Sequence, residues 1–66
     1  MPTLTLNGEP HTTDATTVAD LLQEQGLAGQ AVAVELNQSV VPKRDHADQP
    51  LQDGDTLELV TLVGGG

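Results

Sequence analysis

Residues 56–63, Thr56-Leu57-Glu58-Leu59-Val60-Thr61-Leu62-Val63, form a long run rich in Leu and Val with a single charge. That composition favours a strand. A strand so nearly free of charge suits the middle of a sheet, because sheet edges are normally guarded by charges or proline. The flanking elements must come from the rest of a 66-residue chain. At that length one domain fits, only about 60% of the unfolded surface is buried on folding, and deep internal pockets are not expected. The chain has no Phe, Tyr, Trp or Cys. The core must therefore be built from Leu, Val and Ala, without disulfides or thiolate metal sites.

The remaining segments can be read in order. Thr3-Leu4-Thr5-Leu6 alternates with period two, and Asn7-Gly8 is a strong two-residue hairpin signal that returns the chain along residues 9–13. If Leu6 and Glu9 close the turn, Pro10 lies opposite Thr5 in a non-hydrogen-bonded pair, which suits proline on an edge strand. From Thr17 the apolar residues Val18, Leu21 and Leu22 share one helical face, and Asp20 stands three residues after Thr17 in a variant of the capping box. Gly26 at the C′ position ends a helix over 18–25, with Leu27 placed for the accompanying apolar contact. Residues 31–36 alternate again, with Val32, Val34 and Leu36 on one side and Ala31, Ala33 and Glu35 on the other. Asn37-Gln38 turns the chain into a short strand over 39–41, which Pro42 ends. Residues 43–50 read as a polar loop, and Asp53-Gly54-Asp55 is a turn before the final strand.

One helix can cover one face of a four- or five-stranded sheet, so the expectation is a two-layer α+β domain. The hairpin, helix, hairpin order with a central last strand suggests a β-grasp, that strand lying parallel to the first. The domain is expected over 1–63, followed by a flexible tail, 64–66.

Ten acidic and two basic residues give a formal net charge of −8. This repels phosphate backbones and anionic membranes and favours a basic protein partner. Without aromatic platforms, base stacking is unavailable as well. The first residues lack a basic-then-apolar leader, and no apolar run nears the ~20 residues of a membrane span. The expectation is a soluble cytoplasmic protein.

Three glycines alone fit a linker remnant as well, but directly after the central strand of a β-grasp they point to chemistry at the terminus. From Val63 an extended Gly64-Gly65-Gly66 segment reaches at most about 13 Å. That lets Gly64 and Gly65 thread a narrow partner channel and present the Gly66 carboxylate. A carboxylate is a poor acyl donor until activated, and adenylation by ATP would supply a leaving group that a sulfur nucleophile could displace. No G-x-x-x-x-G-K-[ST] phosphate loop is present. The chain is thus expected to bind no cofactor of its own and to be a substrate and carrier, with ATP used by a partner enzyme.

The segments Leu6-Asn7-Gly8-Glu9, Thr17-Val18-Ala19-Asp20-Leu21-Leu22, Val32-Ala33-Val34-Glu35-Leu36-Asn37, Val40-Val41-Pro42-Lys43, Leu51-Gln52-Asp53-Gly54-Asp55 and Val63-Gly64-Gly65-Gly66 together resemble the ThiS sulfur carriers of thiamine biosynthesis. These belong to the ubiquitin-like β-grasp group that also includes MoaD. The resemblance covers the whole chain. It implies that a ThiF-like enzyme adenylates Gly66, that a donor such as a cysteine desulfurase provides sulfur, and that a ThiG-like thiazole synthase consumes the resulting thiocarboxylate. Two other roles share the activated glycine: a MoaD-like carrier for molybdopterin or tRNA thiolation, and a ubiquitin-like modifier forming isopeptide bonds. The chain departs from the family pattern at Lys43, where many relatives have Arg, and at His46, where many have Trp.

Other candidates are weaker. A metal site would require Asp45 and Asp48 to converge with the histidines, and His11 reads instead as an edge-strand residue opposite Leu4. Ser39 has no nucleophile-elbow context. If Leu57 and Leu59 face the core, Val60 and Leu62 either lie on the open sheet face with Glu58, or a bulge returns Leu62 to the core. In the first arrangement Val60, Leu62 and Ala33 form an apolar face for docking the activating enzyme.

Overall fold

The computed structural model describes residues 1–62; Val63 and Gly64, Gly65 and Gly66 lie outside the described residues, as does the expected boundary between domain and tail. The chain opens with β1 (Thr3–Leu6) and β2 (Glu9–Thr12) and then forms α1 (Val18–Glu24). It continues through β3 (Val32–Leu36), β4 (Ser39–Val40), a 3₁₀ helix (Lys43–Asp48) and β5 (Thr56–Thr61). The sheet has the order β2-β1-β5-β3-β4. β5 is central, parallel to β1 and antiparallel to β3.

The first hairpin forms as its sequence requires. Asn7 and Gly8 have φ of 51° and 86°, the left-handed pair of a type I′ turn. Leu6 pairs with Glu9 and Thr5 with Pro10. Thr5 donates its N–H to the Asp55 carbonyl at 2.9 Å, towards β5, so the missing proline donor costs no ladder bond.

Both ends of α1 are tied off locally. The Thr17 hydroxyl accepts the Asp20 N–H at 3.1 Å. The Asp20 carboxylate reaches one residue further back than in a standard capping box and accepts the Thr16 hydroxyl at 2.9 Å. At the other end Gly26, at φ 76°, donates to the Gln23 carbonyl, and Leu27 donates to the Leu22 carbonyl at 2.8 Å. This is a Schellman stop, with Leu27 packed against the core beside Leu22.

The core lies between α1 and one face of the sheet. Leu4, Val34 and Leu57 come from three neighbouring strands and meet Val18 and Leu21 of the helix; all five are at most 1% exposed. Their alternation along each strand leaves the other face of the sheet open to solvent.

Residues 43–50, expected as loop, contain the 3₁₀ helix. Its six residues include a single buried side chain, His46, whose Nε2 lies 3.0 Å from the Val41 carbonyl oxygen. Because that oxygen only accepts, Nε2 carries the proton. A polar segment with one inward residue has no apolar period to reveal a helix.

Candidate functional site

The central strand carries the candidate site. β5 is held at its start by the two hairpin turns. The Asn7 side-chain oxygen accepts the Leu59 N–H at 2.8 Å, while Asn37 accepts the Thr56 N–H through its side-chain oxygen at 2.9 Å and donates to Asp55 at 3.0 Å. Both asparagines are in left-handed conformation, at φ 51°. Asparagine suits such positions because it tolerates the conformation and carries an amide that substitutes for backbone partners. Consequently β5 is anchored on both flanks, and its last residue, Thr61, is followed by Leu62 and then by residues 63–66.

Along β5, Leu57 is fully buried and Leu59 partly buried, while Glu58 and Val60 point to the open face. The pairing with β3 runs without interruption from Leu36↔Leu57 to Val32↔Thr61. Leu62 then donates its N–H to the Ala31 carbonyl at 3.0 Å, continuing the same register. No bulge intervenes, and Leu62 stands on the open face at 55% exposure, near Val60 at 54%. Ala33 pairs with Val60 and is exposed too. Val40 of β4, 72% exposed, pairs with Glu35 and adds a further apolar side chain to this face. Its two-residue strand is too short to show an alternation that would reveal this from sequence alone. Glu35 and Glu58 are directly paired across β3 and β5. The open face thus combines apolar side chains with two carboxylates. Gly64, Gly65 and Gly66, the tail residues singled out by sequence, lie outside the described residues.

The two histidines are separately committed. His11 pairs with Leu4, and its Nε2 lies 2.7 Å from Glu24 Oε1 at the end of α1. Glu24 Oε2 also accepts the Thr13 hydroxyl at 2.6 Å. These bonds, that from Thr13 foremost and that from His11 next, hold the Glu24 carboxyl below its ordinary pKa. The Asp20 carboxyl is similarly lowered, chiefly by the Thr16 hydroxyl. Among the described residues no group of three His, Cys, Asp or Glu side chains is arranged to hold a metal ion. No helix among them is long and apolar enough to cross a membrane.

A five-stranded mixed sheet with a central last strand parallel to the first, crossed by one helix, defines a ubiquitin-like β-grasp domain. The chain belongs to the ThiS family, whose model matches residues 4–66. It is 41% identical over 61 residues to the sulfur carrier protein ThiS of Thermus thermophilus, covering 92% of this chain and 95% of that one. It is also 45% identical over 64 residues to a thiazole synthase of Paramagnetospirillum magneticum, and there it spans only 20% of the longer protein. The crystal structure of the thiamine biosynthesis protein ThiS from Geobacter metallireducens superposes with a TM-score of 0.81 at 35% identity, covering 97% of this chain and 99% of that one.

Proposed function

We propose that this chain is a sulfur carrier for thiazole formation in thiamine biosynthesis and that the Gly66 carboxylate is the group that carries sulfur. The observation that supports this most directly is the extent of the family match, which runs over residues 4–66 and takes in Gly64, Gly65 and Gly66. In the proposed cycle a Gly66 carboxylate oxygen attacks the α-phosphorus of ATP and pyrophosphate leaves. A sulfur nucleophile then attacks the acyl carbon and AMP departs: sulfide leaves the thiocarboxylate directly, whereas a persulfide donor leaves an acyl disulfide, from which a thiol, attacking the donor-side sulfur, releases the thiocarboxylate and ends in a disulfide with the donor. A ThiF-like enzyme provides the ATP site, and a donor such as a cysteine desulfurase provides the sulfur. The chain itself is a cytoplasmic substrate and carrier rather than a catalyst.

A thiazole synthase of the ThiG type consumes the product. The occurrence of a homologous segment inside longer proteins that bear the name thiazole synthase supports that link. Val60 of β5, Leu62 just beyond it and Ala33 of β3 form the docking face for the activating enzyme, and because β5 and Leu62 lead on into residues 63–66, docking there is coupled through the chain to the threading of Gly64 and Gly65. Deleting Gly65 and Gly66 tests the reading: the shortened protein is expected to fold as before and to accept no sulfur. Undiminished sulfur transfer by it would show that the tail is inert.

A further inference from the structure

On the helix side of the sheet, away from Val60 and Leu62, an open cavity of about 260 Å³ lies between α1, the turn at residues 27–30 and the 3₁₀ helix. Its apolar lining includes Ala19, Leu22, Leu27 and Val32. The same cavity is lined by Lys43 and Arg44, the only two formally basic side chains of the chain. Neither forms a salt bridge among the described residues, where the one such contact is His11 with Glu24. Asp45 and Asp48 sit on the same 3₁₀ helix but do not line the cavity. In a molecule with ten acidic residues, this is an apolar concavity lined by both basic side chains, with no carboxylate within salt-bridge distance of either among the described residues.

The geometry points to a second protein-binding site, taking one large apolar side chain of a partner with a carboxylate beside it. The volume is enough for one large side chain, and buried apolar anchors of that kind carry most of the binding energy at interfaces. The charge selects what accompanies it, because an acidic flank meets Lys43 and Arg44 and a basic flank is repelled. Elsewhere the surface carries the chain's negative charge and repels the same acidic segment. This proposal does not depend on the sulfur-carrying role proposed for Gly66.

The test uses N-acetyltryptophan, whose carboxylate stands in for the acidic neighbour, and its neutral amide, titrated into the ¹⁵N-labelled full chain. Since the protein has no aromatic residues, probe fluorescence is read without background. The expected result is saturable amide shifts centred on Ala28, Gly29 and Ala47, with Kd near 1 mM for the anion at low salt. The amide should bind about three- to tenfold more weakly. Lys43→Gln with Arg44→Gln should abolish that difference, and Ala47→Leu, at an exposed position, should weaken both probes by reducing the cavity. Equal affinity for the two probes, shifts centred on Val60 and Leu62, or no saturable shift would overturn the assignment. Probe-free shifts at Ala28 and Ala47 that grow with protein concentration would give the cavity to a second copy and overturn it too.

Discussion

Glu35 and Glu58 face each other directly across β3 and β5, on the open side of the sheet and one cross-strand step from the Ala33 and Val60 pair. Like charges in this relationship destabilise a sheet. The pair therefore works against the fold while adding negative charge beside the exposed apolar residues, an arrangement suited to a partner with a basic rim around an apolar centre. Glu58→Lys should raise stability by roughly 0.2–1 kcal/mol in thermal or urea unfolding. The same substitution should slow association with the proposed activating enzyme and reduce its salt dependence. Leu62→Asp, at a half-exposed position, should leave unfolding nearly unchanged while preventing activation. A Leu62→Asp protein that unfolds would remove the docking role.

The Asn7 contact with Leu59 gives a second test. Asn7→Gly keeps the left-handed turn accessible but removes the acceptor for the Leu59 N–H. Stability should fall by about 1 kcal/mol, and hydrogen exchange at the Leu59 amide should accelerate more than at Val34 in the core. Equal acceleration at both would mean that Asn7 acts only through global stability.

The link between β2 and α1 predicts a pH dependence of defined sign. Thr13 and His11 hold the Glu24 carboxyl below its ordinary pKa, so the native state binds that proton less readily than the unfolded chain. The stabilisation is present above the unfolded value, about pH 4.3, and is lost as pH falls through the lower native value. Glu24→Gln should therefore be less stable than the parent at about pH 7 in urea unfolding, and the gap should narrow as the pH falls through the lowered native value. A gap that widens on acidification would contradict the assignment of Glu24 as the stabilising charged partner.

Much of this architecture is written in local chemistry. Asn7-Gly8 sets the first hairpin and its register, Thr17 and Gly26 bracket the helix, and the low charge of residues 56–61 places β5 at the centre. Simple alternation gave two positions for Leu62, and the choice lies in pairing between strands: the unbroken β3 to β5 register sends it to the open face. The opposition of Glu35 and Glu58 has the same origin, since neither residue alone reveals its partner. The 3₁₀ helix was hidden because His46 is its only buried side chain. The cavity beside it was hidden because its lining converges from three separate segments. The adjacency of the only two basic residues, Lys43 and Arg44, was the one hint in the sequence.

The central claim concerns one carboxylate, and intact mass tests it most directly. The chain is incubated with ATP, a sulfur source and a ThiF-like enzyme already shown to adenylate another carrier of the family. The predicted result is exchange of one oxygen for sulfur, localised to Gly66 by fragmentation and absent when ATP is withheld. An unchanged mass under those conditions, or sulfur found at any other residue, would contradict the account.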